Sequence, residues 1–116
     1  MKQLLTMLII LIGGILVMNA ISNSTPAPVD ESGMIKEVVW FVDDLKNYNG
    51  AELYDKTVAY EDTLSRTEGT AKNEDTVKII KMARYYCQAI RAYLKQPNED
   101  NASYIQYTLR EFNKLL

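Results

Sequence analysis

The residue types that most often carry catalysis are scarce in this sequence of 116 residues. It contains no histidine, so the commonest general base near neutral pH is missing, as are imidazole metal ligands. Two pairs of neighbouring carboxylates remain, Asp43 with Asp44 and Glu61 with Asp62. Adjacent residues of a helix point about 100° apart, so neither pair converges on one substrate atom, and we expect both to be solvated. The sequence therefore predicts a protein that is not an enzyme, with a small carboxylate-based hydrolase as a minor alternative.

Cys87 is the only cysteine, which excludes a disulfide within the chain. Its neighbours at helical spacing are Ala83, Tyr86 and Ile90, so it is predicted to be a small buried apolar residue. A disulfide between two chains is the alternative. The sequence has neither a glycine-rich phosphate loop nor a calcium-binding loop. No cofactor and no metal is predicted.

An uncharged apolar stretch covers residues 4–21, beginning at Leu4 and ending at Ile21. As a helix it would be about 27 Å long, close to the ~30 Å hydrocarbon core of a bilayer. We expect residues 1–22 to be a retained membrane anchor or a cleaved signal peptide, since a basic start and small flanking residues fit either role. Because Lys2 precedes the stretch and the next charges are acidic, we expect the amino terminus in the cytoplasm and the body outside it, either anchored or secreted into the periplasm or medium.

The remaining chain divides into a polar linker at residues 23–31 and one small domain at residues 32–116. Apolar residues at helical spacing, separated by turn-forming residues, predict four helices and no strand. The predicted helices cover residues 34–48, 51–66 and 76–96 and the segment after Pro97. We predict an all-α fold, an up-and-down antiparallel bundle of four helices centred on the third helix and preceded by one hydrophobic N-terminal helix. Two stacked helical hairpins, as in solenoid repeats, are the alternative.

Turn-forming residues mark the predicted helix boundaries. Ser32 is expected to cap the first helix, and Asn49 with Gly50 to provide a left-handed stop after it. Residues 67–75 are expected to form a loop, because they include glycine and several small polar residues. Asn98 or Asn101 is expected to cap the last helix.

Trp40 stands apart from the apolar stripe of the first predicted helix. It shares its helical face with Lys36, Glu37 and Asp43. The linker or the fourth helix could cover it, or it could contact the membrane surface, where tryptophan is enriched. It could also anchor a partner, since tryptophan is frequent at binding hot spots. Trp40 is therefore a candidate partner-binding residue.

Charge is segregated between the predicted helices. Acids outnumber bases over residues 30–66, whereas residues 76–96 contain no acid. The simplest interpretation is that the acidic helices pair with the basic third helix. The alternative is a docking surface for an acidic partner or for anionic lipid headgroups. Its candidate residues are Lys81, Arg84, Arg91 and Lys95.

The preferred function is that of a non-enzymatic accessory or assembly subunit, tethered to a membrane or exported, that binds another protein through its bundle surface. A net charge of −2 argues against a nucleic acid as the partner. The alternative is an exported carrier of a small molecule or lipid. Its ligand would lie between helices, and a cavity of ~300 Å³ or more would favour it. The residues expected to line that cavity are Tyr86, Tyr93, Ile105 and Phe112.

Overall fold

The computed structural model describes residues 29–116, which form four α-helices and one short 3₁₀ turn. The elements are α1 (Ser32–Asp44), the 3₁₀ turn (Leu45–Asn47), α2 (Gly50–Thr70), α3 (Glu74–Lys95) and α4 (Glu99–Lys114). Because residues 29–116 contain no strand, the predicted all-α fold of the domain is confirmed. No helix in this part of the chain combines the length and the hydropathy needed to cross a bilayer. The apolar stretch at residues 4–21 lies outside the described residues.

Helix α3 is the centre of the fold, as its long apolar stripe predicts. It packs along α2 on one side and along α4 on the other, and α1 also packs against it. No Cα atom of α4 lies within 8 Å of one in α1 or α2. The four helices therefore do not close into a ring. Instead α2, α3 and α4 form a layer, and α1 covers one side of it.

Contacts between side chains fix the directions of the helices. Tyr54, near the start of α2, lies beside Lys95 at the end of α3. Glu68, near the end of α2, reaches back to Arg84 in the middle of α3. This reversed order shows that α2 and α3 are antiparallel. The short connection at residues 96–98 then turns α4 back along α3.

The core lies where α1 and the three-helix layer meet. Its members are the apolar residues that the predicted stripes place on the inner faces, and full burial of a large one stabilises the fold by ~1.5–3 kcal/mol. They are Ile35, Val38, Val42, Leu45, Leu64, Ile79, Ile80, Ala83, Cys87, Ile90 and Phe112.

Helix α2 is longer than the sequence predicts. It continues to Thr70, so the loop expected at residues 67–75 shrinks to residues 71–73. In its last turns the hydroxyl of Thr67 donates to the carbonyl of Thr63 at 3.0 Å and that of Thr70 to the carbonyl of Thr67 at 2.9 Å. Small polar residues thus satisfy their hydrogen bonds within the helix here and do not end it.

Three predicted boundary residues have different outcomes. Ser32 does not cap α1; it is the first residue of the helix, and its N–H donates to the carboxylate of Asp30 at 3.0 Å. Gly50 has the expected left-handed backbone, with φ of 55°, but it begins α2 after the 3₁₀ turn has carried the chain beyond α1. Asn98 caps α4 as predicted, accepting from the N–H of Asn101 at 2.8 Å.

Glu31 ties the beginning of the domain to the start of α3. Its carboxylate is buried and accepts the backbone N–H groups of Lys72 at 2.7 Å and Asn73 at 3.0 Å. The Asn73 side chain in turn donates to the carbonyl of Val29 at 3.0 Å. Burial opposes ionisation of Glu31, but the backbone donors outweigh it and lower its pKa. Helices α1 and α3 therefore start at the same end of the fold, and α1 runs antiparallel to α2.

Candidate functional site

Trp40 is more exposed than any other large apolar side chain in residues 29–116, at 56%. It projects away from the core because the buried positions of α1, Ile35, Val38 and Val42, lie on the other side of the helix. The prediction that Trp40 lies off the apolar stripe is confirmed. Helix α4 stays away from α1, so the fourth helix does not cover the indole.

Two partly buried rings support the Trp40 indole. The Phe41 ring lies edge-on to it with centroids 5.4 Å apart, and the Tyr60 ring of α2 is 6.0 Å away. Phe41 and Tyr60 are themselves 4.6 Å apart. Such ring pairs contribute ~0.5–1.5 kcal/mol beyond the area that they bury. We call these three residues the aromatic platform; it joins α1 to α2 and holds an exposed tryptophan in place.

Polar contacts reinforce the aromatic platform from its Tyr60 side. The Tyr60 hydroxyl donates to the carboxylate of Asp44, which links α2 to the end of α1. Burial and this hydrogen bond raise the pKa of Tyr60, and the same bond lowers the pKa of Asp44. The Lys56 ammonium lies 5.9 Å from the Tyr60 ring centroid and 4.9 Å from that of Tyr48, within the range of cation–π attraction. The platform therefore has one acid and one base along its border.

Arg84 and Arg91 are paired within the chain. Glu61, on α2, forms ion pairs with Arg91 and, at 3.7 Å, with Arg84. Arg84 also binds Glu68 at 2.8 Å, and Gln88 donates to Glu61 at 2.7 Å. The expectation that Glu61 is solvated is wrong, because its side chain is only 16% exposed between the two helices. Pairing of an acidic α2 with a basic α3 is thus confirmed at these residues.

The ion pairs of this network join α2 to α3 and leave little unpaired charge at the surface for a partner to bind. Burial disfavours the charged form of Glu61, but hydrogen bonds from Gln88 and Arg91 outweigh it and lower the pKa. The hydrogen bond to Glu68 raises the pKa of Arg84. One nitrogen of each arginine is buried with no acceptor among the described residues, Arg84 Nε and Arg91 Nη1. Neither guanidinium is freely presented at the surface.

Lys81 and Lys95 occupy a different position. Both are exposed, on the side of α3 that faces away from α1. The Lys95 ammonium lies 5.8 Å from the Tyr54 ring centroid. At 100° per residue three more exposed residues share this side. We call the set the open face of α3: Lys78, Lys81, Tyr85, Gln88 and Lys95.

The structure therefore separates the predicted partner-binding residues into three places. Trp40 lies on the α1 side of the layer, Arg84 and Arg91 lie between α2 and α3, and Lys81 with Lys95 lies on the open face. A single flat partner surface cannot contact Trp40 and Lys81 together, because the layer stands between them. Sequence reasoning missed the support of Trp40 by α2, since no periodic signal links positions twenty residues apart on two helices.

The four residues predicted to line a ligand cavity do not share one environment. Phe112 is 1% exposed within the core, whereas Tyr93 is 36% exposed at the surface. A surface cleft of about 380 Å³ lies along α4, but its lining contains none of the four; it is formed by Gln106, Leu109, Arg110, Asn113 and Lys114. The packing of the core gives the carrier function no support.

Cys87 is buried, as predicted, at 1% exposure. Desolvation is the main reason that the pKa of its thiol is raised to about 12. Since the thiolate is the nucleophilic form, Cys87 is held in its unreactive state at neutral pH.

The described surface thus presents a supported tryptophan on one side and a lysine- and tyrosine-bearing helix face on the other. Comparison with known proteins finds no match to a protein-family model, to a curated protein or to a solved structure.

Proposed function

We propose that this protein is a non-enzymatic accessory or assembly subunit that binds another protein through the surface of its helical domain. The observation that carries the proposal is Trp40, 56% exposed and yet fixed against Phe41 and Tyr60. A side chain that is already ordered loses little conformational entropy when a partner covers it. Tryptophan is also enriched among the residues that dominate binding energy.

The proposal places the domain outside the cytoplasm, tethered through residues 4–21 or exported after their removal. The sequence supports this location, because the stretch carries no charge and the flanking charges are basic before it and acidic after it. A tether would also raise the effective concentration of the domain for a partner in the same membrane.

Replacing the indole tests the binding role directly. A photo-cross-linking residue at position 40 of the full chain identifies the partner in native membranes, and the affinity is then measured with purified partner. Trp40→Ala is expected to weaken binding by about 2 kcal/mol or more, roughly 30-fold, because a hot-spot residue is lost. Helicity measured by circular dichroism should stay unchanged, since the indole lies off the core.

Tyr93→Ala is the matched control, because it removes another exposed aromatic side chain, one that α3 carries and that is not part of the aromatic platform. It should bind the partner with wild-type affinity. Wild-type affinity of Trp40→Ala would contradict the binding role, and so would loss of helicity in that variant, which would assign Trp40 to the structure.

Trp40 also offers a direct optical readout, because it is the only tryptophan in the chain. Its fluorescence emission should lie at long wavelength in the free protein and move to shorter wavelength as the partner excludes water from the indole. An emission spectrum that does not change at saturating partner would show that the contact lies elsewhere.

The location is tested on the natural product in cells. An intact mass that lacks the first twenty or so residues indicates export, and a complete mass in a fraction that resists alkaline extraction indicates a tether. Protease added outside the cytoplasmic membrane should digest the domain in the tethered case. A complete chain recovered freely dissolved in the cytosol would overturn the location.

A further inference from the structure

We infer that the open face of α3 is a second docking surface and that its occupant is an acidic segment of a partner protein. The inference extends the proposed function, on which it rests, by assigning a separate surface and the chemistry of what it binds. It involves residues on the side of the layer opposite to Trp40, so the two contacts can succeed or fail independently.

The geometry of the layer creates this surface. Helix α3 is flanked by α2 and α4, and α1 packs against its buried side, so no described helix lies over the remaining side. The open face runs from Lys78 to Lys95, a distance of about 26 Å along the helix axis. That length suits one extended or helical segment lying along α3.

The charge of the open face is left without internal compensation. Beyond its first turn α3 contains no acid, and neither Lys78 nor Lys81 has a carboxylate within 4.0 Å among the described residues. Glu74 and Asp75 lie in that first turn, where the helix dipole favours negative charge. The lysines farther along α3 therefore keep a positive potential that would attract an acidic segment and speed its association.

Exposed tyrosines provide the uncharged part of the contact. Tyr85 lies between Lys81 and Lys95 and is 43% exposed. Two further exposed tyrosines, Tyr104 and Tyr107, lie on the neighbouring helix α4. Their rings pack edge to face with centroids 6.2 Å apart, and both remain exposed. Tyrosines held in this way offer flat contact area at low entropic cost.

The arrangement of acids decides between a protein segment and an anionic membrane. Glu61 and Glu68 line the open face on the α2 side, and Glu111, paired with Lys114 at 2.9 Å, lies on the α4 side. Each of these carboxylates is paired with a cation, and Glu61 and Glu68 are only 16% and 19% exposed, so the lysines of the open face form a narrow positive row between neutralised flanks. A narrow segment lying along α3 meets the lysine row alone, so an acidic protein segment is the better fit.

The test uses the full chain in detergent micelles and two synthetic amphipathic peptides that differ only in charge. One peptide carries glutamates along its polar face, and its twin carries glutamines at the same positions. Fluorescence anisotropy should show binding of the acidic peptide, little binding of its twin, and weaker binding at high salt. The double variant Lys78→Glu with Lys81→Glu should lose affinity by about tenfold or more, because charge reversal turns attraction into repulsion.

Lys36→Glu is the matched control, since it makes the same charge change at an exposed position on α1. It should bind the acidic peptide with wild-type affinity, and so should Trp40→Ala, which separates this surface from the proposed Trp40 contact. Circular dichroism confirms that each variant is folded. The inference would be overturned if the double variant bound the acidic peptide as tightly as wild type does. It would also be overturned if wild type bound the glutamine peptide as tightly as the acidic one. Binding to phosphatidylglycerol vesicles that the double variant abolishes, with no peptide binding, would overturn it in favour of a lipid surface.

Discussion

Glu31 is the residue whose single substitution should reveal most about how the domain is assembled. Glu31→Gln is expected to lower the free energy of unfolding at neutral pH by ~1–3 kcal/mol, because two backbone donors at the start of α3 lose a charged acceptor. Urea unfolding followed by circular dichroism measures the change. Glu37→Gln, an exposed change of the same kind on α1, should have little effect.

The pH dependence of that difference has a defined sign. The pKa of Glu31 lies below the ordinary value of 4.5 in the folded protein, so its contribution is complete above that value and is lost as the pH falls through the folded pKa. The pKa of Glu61 is lowered as well, and it acts in the same direction. Wild type should therefore lose stability in acid, while the gap between wild type and Glu31→Gln closes. A gap that widens in acid would contradict this account.

Cys87 should be inert as long as the domain is folded. Burial at 1% exposure and a pKa raised to about 12 both protect its thiol. Iodoacetamide at neutral pH is expected to alkylate it only after denaturant is added, as read by intact mass. Rapid alkylation of the native protein would show that the core opens readily or that the thiol is exposed.

Residue environments were predictable from the sequence where one helix decides them. The burial of Cys87 and the position of Trp40 off the apolar stripe follow from their places on a helical face, and both were predicted. The roles of Glu31 and Tyr60 were not predicted, because their partners lie 41 and 16 positions away. Only the packing of separate helices brings such groups together.

At the scale of helices, the ion-pair network between α2 and α3 makes a clear prediction. Glu61→Gln should destabilise the domain by about 1–3 kcal/mol, since it leaves two partly buried arginines with a neutral neighbour. Asp62→Asn is the natural comparison, because that carboxylate pairs with Arg66 in an exposed position and should cost under about 1 kcal/mol. Thermal or urea unfolding measures both. Equal losses of stability in the two variants would mean that the network contributes no more to the free energy of unfolding than an exposed ion pair does.

Two glycines of α2 should respond to alanine in opposite directions. Gly69 lies within the last turn and has open space where a methyl group would go, so Gly69→Ala is expected to stabilise by ~0.5–1 kcal/mol. Gly50 begins the helix at φ of 55°, so Gly50→Ala should destabilise by ~1–2 kcal/mol. Unfolding midpoints that shift in the same direction would contradict the assigned backbone conformations.

Helices were easier to predict than their ends. Periodic apolar residues indicated all four helices of the domain, but α2 extends beyond its predicted end at residue 66 to Thr70, where threonine hydroxyls find acceptors on carbonyls of the same helix. The first helix stops at Asp44, earlier than its apolar stripe predicts, and continues as a 3₁₀ turn. A hydropathy pattern does not predict local hydrogen bonds or 3₁₀ turns of this kind.

At the scale of the whole molecule, the sequence predicted the alternating directions of the helices but not which pairs touch. Helix α4 packs against α3 alone, and α1, with 13 residues against 22 in α3, covers only part of the layer. The sequence predicts the lengths of these helices only approximately. The open side of the layer, which carries the proposed second docking surface, results from this uneven coverage.

The environments of the candidate partner-binding residues on α3 were also not predictable from the sequence. One basic helix, α3, carries all four basic candidates, and its sequence alone does not distinguish them. They are Lys81, Arg84, Arg91 and Lys95. The structure divides them, because α2 presents Glu61 within reach of the two arginines and leaves the lysines to solvent. The position of α2 decides which basic residues of α3 form ion pairs, so the pairing could not be predicted from the sequence of α3 alone.

The hydrogen bonds that join Glu31 and Val29 to the start of α3 also govern how the domain would bear mechanical load. A pull transmitted through the amino-terminal segment would reach the central helix directly at Lys72 and Asn73, without first peeling α1 from its neighbours. Force applied at Val29 would therefore be shared between α1 and α3 from the outset.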